Sequence, residues 1–466
     1  MKVSIFKEEY DIVAETTEGD RVAKGRRESA SSVINKCLEF VSKHGGGTVE
    51  LDKGTYYCPE YIELKNNTTL KGKGAGETKL VCTAQTTLTA FIGWLNSGSL
   101  LQRPVLRDMY IDANYKAIDA VKIVWCTKAK LIDLEVRGAN SAGIVVAEMP
   151  DLSVHRVNEI IRCRITRCNG SGMYIGMPDM TIIGGEIYEC QGNGIHIAES
   201  QTKVIGTHVW GCHGTANIYI QGGFDRNSIT GAVVEVGRGN TRGYFIDYNT
   251  RRTSITGGVC RGNGGEGIYL NGSPDTSIVG VQIYSNGLDG ILINAADANT
   301  ISGNIIYDNN TTGTGGTADV RLLGGATYNT ISDNVIMAVN DKPDYGILES
   351  SASDDYNTIT GNTLWGHNIA TISISGANTK VRDNIGFNNT NGGTATFSGD
   401  GTTTTFSIPH GLPAAPTKVS VVPQSADAAG SFYITADATN ITVNYTTAPA
   451  AGTNNIVLWW TAEVYT

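Results

Sequence analysis

The sequence has no apolar run long enough to span a membrane, and residues 1–20 lack the apolar core of a signal peptide. Membrane insertion is therefore not expected. If the protein acts outside the cell, we expect synthesis in the cytosol without a signal peptide and release by lysis or a dedicated route. Proline is scarce, at 11 residues, whereas glycine is abundant, at 57. This balance is typical of short strands joined by many turns.

Charge and cysteine content exclude two further classes of protein. The formal net charge is −9 and the pI is near 5.4, which argues against a nucleic-acid-binding protein. The nine cysteines are odd in number and lack the spacing of a small disulfide scaffold, so we expect reduced thiols. A length of 466 residues indicates either several domains or one solenoid.

A capping helix is predicted near the N-terminus. Residues 1–27 show no clear periodicity, but residues 28–41 have apolar side chains at helical spacing and are followed by Gly45, Gly46 and Gly47. Such a helix would cover the open end of a solenoid, whose first turn otherwise exposes unpaired backbone groups. We assign residues 1–45 to this N-terminal segment and its helix.

Two short phrases repeat along the middle of the chain. The first is a Thr or Ser, an Ile, a third residue and usually a Gly; from Ile229 to Ile359 its Ile recurs every 23 to 30 residues. The second is a Gly-rich turn followed by a short alternating strand, as in Gly194–Ile197 and Gly267–Leu270. A period in this range, with strands and without a helix in each repeat, predicts an all-β right-handed parallel β-helix over residues 46–390.

The turns of this predicted β-helix contain two series of equivalent residues. Cys168, Cys190 and Cys212 are 22 residues apart, and Asn263, Asn286 and Asn309 take the same place in later repeats. A metal site is the alternative explanation for the cysteines. Because Asn replaces Cys without disturbing the repeat, we interpret both series as a ladder of buried turn residues and predict no metal.

The C-terminal part has a different pattern. Residues 391–402 are rich in Asn, Gly and Thr and are predicted to form a linker. Residues 403–466 contain several alternating strands between turn signals, which predicts a small antiparallel β-sandwich.

The chain resembles the pectate-lyase-like β-helix superfamily and, within it, the phage tailspike and polysaccharide depolymerase group. The likeness lies in the helix followed by Gly46–Tyr56, in Leu70–Gly76, and in the small C-terminal β domain. The resemblance implies a carbohydrate ligand and a homotrimer, but it does not fix the reaction.

Mannuronan epimerases offer a comparison at one strand. Their motif Tyr-Gly-Phe-Asp-Pro-His-Glu corresponds in position to Asn193–Glu199. Only the Gly and Glu199 agree; His196 takes the place of the family's Asp, and Ala198 takes the place of its His. The catalytic residues of the epimerases therefore do not transfer to this chain.

One outward column of the predicted β-helix is rich in aromatic and polar residues, which is typical of a carbohydrate-binding surface. Stacking of aromatic neighbours in a sheet is the alternative explanation. The predicted catalytic residues are Glu199, Asp247, His196 and Tyr219. The predicted substrate-binding residues are Tyr174, Gln221, Arg226, Tyr248, Arg251, Tyr269 and Asn271.

Two reactions fit these residues. Glu199 and Asp247 would lie two turns apart, about 10 Å between backbones, and side-chain reach could bring the carboxyls to the roughly 6.5–9.5 Å of an inverting glycosidase. A lyase would instead use His196 or Tyr219 as the base and an arginine to neutralise a uronate. The sequence leaves both reactions open.

A second outward column supplies a fallback set of catalytic residues, Glu186, Glu235 and His208. Alternating charge on neighbouring strands is also what any exposed sheet favours, so we rank this column second. The turns near Asp308 and Asp354 could bind calcium, but they lack ligand density, and no cofactor is predicted.

The sequence therefore predicts a virion-type protein that cleaves a polysaccharide in a groove on the outer wall of the β-helix. The alternatives are a non-catalytic glycan-binding adhesin, a structural tail component and a uronan epimerase-like enzyme.

Overall fold

A computed structural model describes residues 1–96, 98–147, 157–340 and 343–464. The repeats form a parallel β-solenoid, as predicted. Each regular turn has three short strands, for example Lys203–Ile205, His208–Trp210 and Ala216–Ile220. We call the surfaces built from these strands the first, second and third faces, and the turns of the solenoid rungs. Equivalent residues on neighbouring rungs are about 4.8 Å apart.

The first two faces belong to one continuous sheet. First-face strands are Gly47–Leu51, Thr68–Lys71, Asn158–Ile161, Met180–Ile183, Lys203–Ile205, Ser228–Thr230, Ser254–Thr256, Ser277–Val279, Thr300–Ser302, Thr330–Ser332, Thr358–Thr360 and Lys380–Arg382. Second-face strands are Gly54–Cys58, Thr78–Cys82, Arg164–Thr166, Glu186–Tyr188, His208–Trp210, Val233–Glu235, Val259–Arg261, Gln282–Tyr284, Ile305–Tyr307, Val335–Met337 and Thr363–Trp365. Val105–Asp112 and Lys130–Arg137 each cross both faces.

The third face is a separate parallel sheet, with 13 strands in the described part of the chain. Its strands are Ile62–Glu63, Leu88–Trp94, Ala117–Val124, Ile144–Ala147, Met173–Gly176, Ile195–Ile197, Ala216–Ile220, Arg242–Ile246, Ile268–Asn271, Ile291–Asn294, Ala318–Leu323, Tyr345–Glu349 and Ala370–Ser373. Leu101–Gln102 and Cys126–Thr127 form a further short parallel pair.

The N-terminus is more ordered than the sequence suggested. The predicted helix is present as α1, Ala30–Lys43, preceded by a short 3-10 turn at Arg27–Ser29. Before it, Lys2–Glu8, Asp11–Thr16 and Arg21–Arg26 form an antiparallel meander, and the first of these strands pairs in parallel with Gly47–Leu51. The meander was missed because polar residues interrupt its alternation.

The core of the solenoid consists of columns of inward aliphatic side chains. On the first face, Ile229, Ile255 and Ile278 pair on successive rungs and are buried. On the third face, Ile195 and Ile218 form an equivalent column, which the buried ring of Tyr244 continues on the next rung. Since neighbours in a strand point to opposite sides, functional side chains can only stand on the outward columns.

The turn ladder has the predicted structure. Asn263 donates its side-chain amide to Oδ1 of Asn286 at 2.9 Å, and Asn286 donates to Asn309 at 2.9 Å. In the earlier rungs, the buried thiols of Cys190 and Cys212 each donate to a backbone carbonyl of their own rung at 3.6 Å. These side chains satisfy buried backbone and amide groups, which is a structural role.

The C-terminal domain contains two three-stranded antiparallel sheets. One sheet orders Thr390–Gly399, Gly452–Glu463 and Lys418–Pro423, and the other orders Thr405–Pro409, Asn440–Tyr445 and Phe432–Ala436. Most of the segment expected to be a linker is thus a strand. Its long pairing with Gly452–Glu463 satisfies its backbone despite its polar composition. Residues 465 and 466 of the predicted domain lie outside the described residues.

The asparagine ladder gives a stability prediction. Asn286→Ala removes the oxygen that accepts from the buried backbone and side-chain N–H groups of Asn263, and it removes one donor to Asn309. We therefore expect a loss of about 3 kcal/mol or more in the free energy of unfolding. The matched control is Asn240→Ala, at an exposed turn position, with a change of about 0.5 kcal/mol or less. Urea unfolding measures both, and equal effects would contradict a structural ladder.

Candidate functional site on the third face

The predicted aromatic column exists on the third face. Tyr174, His196, Tyr219, Phe245 and Tyr269 occupy the same register position on five consecutive rungs. All five side chains point outward and are half-buried. The pairing of the strands therefore brings together residues that are up to 95 positions apart in the sequence.

The ring geometry limits what most of this column can bind. Phe245 and Tyr269 stack with centroids 5.0 Å apart and an interplanar angle of 11°, and Tyr219 stacks on Phe245 at 5.4 Å and 24°. Stacked rings cover each other's faces and present their edges to a ligand. This part of the column thus combines sheet stabilisation with an outward row of ring edges, instead of a row of sugar-stacking faces.

Two predicted tyrosines lie differently. Tyr174 meets His196 edge-on, at an interplanar angle of 80°, and its ring covers Gly176. Tyr248 is 71% exposed, and its ring lies against Gly272 on the next rung, where a Cβ would come within 2.5 Å of it. Glycine at these positions gives the rings room, and the Tyr248 ring is the most exposed aromatic surface beside Asp247.

Asp247 lies at the centre of a hydrogen-bond network. Its Oδ2 accepts from the Tyr219 hydroxyl at 2.9 Å, and its Oδ1 accepts from the Asn271 amide at 3.0 Å and the Tyr248 backbone N–H at 2.8 Å. The Asn294 amide donates to Oδ1 of Asn271 at 3.0 Å. These bonds span four rungs and fix the orientation of the carboxylate.

Tyr219 is suited to donate a proton. Burial, followed by the hydrogen bond to Asp247, raises the pKa of Tyr219 to about 12. Its phenol is therefore protonated at neutral pH, which favours a role as hydrogen-bond donor or acid over the role of base.

His196 is suited to accept a proton. Burial lowers its pKa, an effect that the hydrogen bond to Gln221 partly opposes. Nε2 lies 3.0 Å from Oε1 of Gln221 and donates to it, so in the neutral ring Nδ1 carries the free lone pair.

A groove of about 540 Å³ begins at this end of the aromatic column. Tyr174 and His196 form part of its wall, together with Asn193 and the Gly-rich turns on either side. Towards the N-terminus it reaches Lys122, which forms an ion pair with buried Asp119 at 2.9 Å. Its volume is in the range of ligand sites in proteins.

Glu199 lies one position beyond the column of Asp247. The register aligns Ala198 with Gln221 and Asp247, and therefore Glu199 with Gly222 and Tyr248. The carboxylates of Glu199 and Asp247 are two rungs apart, as the sequence predicted. On the rung between Glu199 and Tyr248, Gly222 has no side chain. The Glu199 carboxylate accepts from the backbone N–H of Ser200 at 3.2 Å.

Three arginines lie near the site. Arg226 and Arg251 are exposed in the turn after the third face, where their backbones pair across rungs. Arg242 stands closer to the column: its guanidinium lies 4.8 Å from the Tyr269 ring centroid and contacts Glu266 at 2.7 Å. Sequence reasoning missed Arg242 because it precedes the Gly-aromatic phrase and because its register partner on the preceding rung is Ala216, a residue of a different type.

The fallback residues form a closed network on the second face. His208 lies 2.9 Å from Glu235 and 3.9 Å from Glu186, and Arg261 also pairs with Glu235. Burial disfavours the Glu235 carboxylate, but hydrogen bonds from Arg261 and His208 outweigh burial and lower its pKa. Trp210 donates to Glu186 at 2.9 Å. Both carboxylates are thus held by neighbouring side chains, so the third face is the more open of the two candidate sites.

The described ranges contain neither a cluster of metal ligands nor a helix that could cross a membrane. No group of three or more His, Cys, Asp or Glu side chains there is arranged to hold a metal ion. Among the same residues, no helix is long and apolar enough to cross a membrane.

Comparison with known proteins supports the fold. A family model described as periplasmic copper-binding protein (NosD) matches residues 153–340, less than half of the chain. No curated protein sequence matches the chain.

Solved structures with the same architecture include the A-module of the Azotobacter vinelandii mannuronan C-5 epimerase AlgE6. It has a TM-score of 0.57 and 18% identity, over 77% of this chain and 95% of that one. The Streptococcus pneumoniae surface adhesin PfbA has a TM-score of 0.51 and 12% identity, over 74% and 90%. The Dettilon tailspike protein has a TM-score of 0.47 and 11% identity, over 93% and 90%.

The environment of His196 predicts that the free energy of unfolding decreases at acidic pH. Its folded pKa lies below the unfolded value near 6.5, so the unfolded chain binds the extra proton first. The stability that neutral His196 contributes is present above pH 6.5 and is lost as the pH falls below it. Proton titration of the histidine NMR signals should place His196 below 6.5, and His196→Gln should reduce the loss of stability below pH 6.5. A titration at or above 6.5 would contradict this.

At identities of 18% or less, the likenesses to these solved structures concern the fold alone, and they confirm that the chain has the right-handed parallel β-helix fold.

Proposed function

We propose that the protein binds a polysaccharide along the third face and cleaves it there, with Asp247, Tyr219, His196 and Glu199 as the catalytic residues. The observation that carries the proposal is two hydrogen-bonded pairs on consecutive rungs, His196 with Gln221 and Tyr219 with Asp247. The first pair borders a groove through His196. An acceptor, a donor and a fixed carboxylate beside a cavity are the components of general acid–base chemistry.

Hydrolysis would use the two carboxylates. Asp247 would activate a water molecule, and Glu199 would protonate the leaving glycosidic oxygen. Their two-rung separation begins at about 10 Å between backbones and leaves room for that water. Tyr248 would support this arrangement, because its exposed ring offers the apolar face of a sugar a platform next to Asp247.

Elimination would use His196 instead. Its free Nδ1 lone pair would remove the proton next to a uronate carboxylate, and the carbon–oxygen bond to the leaving sugar would then break. The Tyr219 hydroxyl would protonate the leaving oxygen. Epimerisation would share the first proton transfer but would return a proton to the opposite face without cleavage. Hydrolysis and elimination therefore differ in their products and in their dependence on His196.

We also place the protein outside the cytosol, on a virion or cell surface, because a polysaccharide substrate is found there. Assembly as a homotrimer stays a prediction, and sedimentation of the purified chain would test it. A non-catalytic adhesin is the second candidate function. The 71% exposure of Tyr248 is compatible with binding alone, and such a protein would bind oligosaccharides without changing them.

The catalytic proposal is tested with a panel of neutral and uronic-acid polysaccharides. We expect wild-type protein to release new chain ends from one class, and Asp247→Asn and Tyr219→Phe to reduce turnover roughly 10²- to 10⁴-fold. The matched control is Tyr307→Phe, which removes a hydroxyl from a stacked tyrosine on the second face and should leave turnover unchanged.

The products decide between the candidate reactions. An unsaturated sugar that absorbs in the ultraviolet indicates elimination, a saturated reducing end indicates hydrolysis, and binding without products supports the adhesin. Full activity of Asp247→Asn on the substrate would contradict the site.

Gly272→Ala tests the Tyr248 platform without touching a catalytic residue. A Cβ at this position meets the Tyr248 ring at 2.5 Å, and its positive φ of 56° adds backbone strain, so the ring must move. We expect weaker oligosaccharide binding, about tenfold, like that of Tyr248→Ala. The matched control is Gly280→Ala, which has a similar φ and open space around its Cβ. Equal binding by Gly272→Ala and Gly280→Ala would contradict a platform.

A further inference from the structure

A polar trough lies on the turns that join the second face to the third. It consists of two adjoining cavities of about 290 and 230 Å³, which share Tyr115 and Arg167. The larger cavity is open above Gly211, because the register places this glycine between Glu189 and Val236 on the neighbouring rungs. The missing side chain at this rung makes a recess between the side chains of Glu189 and Val236.

Basic groups are concentrated at this trough, although the whole chain has a net charge of −9. Arg137 stands at one end, Arg167 near the middle and Arg238 at the other end. Asp112 is already engaged, since it binds Arg137 through two nitrogens at 2.9 and 2.7 Å. It therefore neutralises Arg137, and Glu189 partly balances Arg167, which leaves Arg238 as the arginine of the trough without an acidic partner in the described ranges.

Arg167 and Arg238 retain most of their binding capacity. Arg167 has one acidic contact, from Nε to Glu189 at 3.3 Å, and Arg238 forms no ion pair with any residue of the described ranges. Both side chains are exposed, as is His213 beside them. The Tyr115 hydroxyl donates to the backbone carbonyl of Arg167 at 3.2 Å and so closes one side of the trough.

We propose that this trough is a second ligand site, which binds an oxyanion such as a sulfate or phosphate group or the carboxylate of an acidic sugar. Guanidinium groups bind the oxygens of such anions through paired N–H donors, and the amides of Asn169 and Gln191 line the same cavity. On an acidic protein, the rest of the surface repels anions, so a local basic recess concentrates them.

The site is separate from the candidate catalytic residues. It lies on the other side of the short turn from the third-face groove, since Asn169 borders the trough and Gly170 borders the groove. The proposal does not rest on the proposed function, because a simple anion can occupy the trough whether or not the third face cleaves a polysaccharide.

Anion binding to the full chain tests the proposal directly. Sodium sulfate and sodium phosphate are titrated by calorimetry against sodium chloride of equal ionic strength. We expect saturable binding of one anion, weakened about tenfold or more by Arg238→Gln and by Arg167→Gln, since each removes a charged donor. The matched control is Arg162→Gln, an exposed arginine paired with Asp133 on a different turn, which should bind as wild type does.

The source of the oxyanion is decided by competition. Sulfated, phosphorylated and uronic-acid oligosaccharides of equal length are compared as competitors of the bound inorganic anion. The oligosaccharide that competes most strongly with wild-type protein, and no better than the others with Arg238→Gln, carries the group that the trough binds. Absence of saturable sulfate and phosphate binding overturns the proposal, and so does equal weakening by the Arg162→Gln control. Circular dichroism confirms that each variant is folded.

Discussion

The hydrogen bonding between parallel rungs is the constraint on which the rest of this molecule depends. It places every residue about 4.8 Å from the residue at the same position of the next rung. Any side chain is therefore surrounded mainly by its equivalents, and the molecule is built of columns. Columns of isoleucine make the core, columns of asparagine and cysteine make the turns, and the columns that face outward carry the ionisable groups.

This repetition explains why the fold could be predicted from the sequence. The recurrence of Ile229, Ile255 and Ile278 reports directly on neighbouring rungs, and α1 has the apolar spacing and glycine stop of a helix. Elements outside the repeat were harder. The strand Thr390–Gly399 has the composition of a linker, and only its pairing with a distant strand stabilises it. The N-terminal meander likewise depends on its contact with the first rung.

The candidate site was predictable in its columns but not in its contacts. Register alone indicated that Tyr219 and Asp247 are near each other, and the structure adds that they share a hydrogen bond. Register could not show how the rings are oriented. The rings of the column stack and present their edges, whereas Tyr248, which is outside the column, has the exposed ring. Arg242 belongs to a third-face strand, but the repeated phrase starts after it, so the phrase did not reveal it.

The direction of the amide ladders has a consequence for the electric field at the site. In each ladder the side-chain amides point the same way, so their dipoles add along the solenoid. The ladder through Asn309 ends on the carboxylate of Asp319, and the ladder through Asn294 and Asn271 ends on that of Asp247. Each carboxylate thus lies at the positive end of its chain of dipoles. The potential at Asp247 is therefore set in part by Asn294, a residue two rungs away.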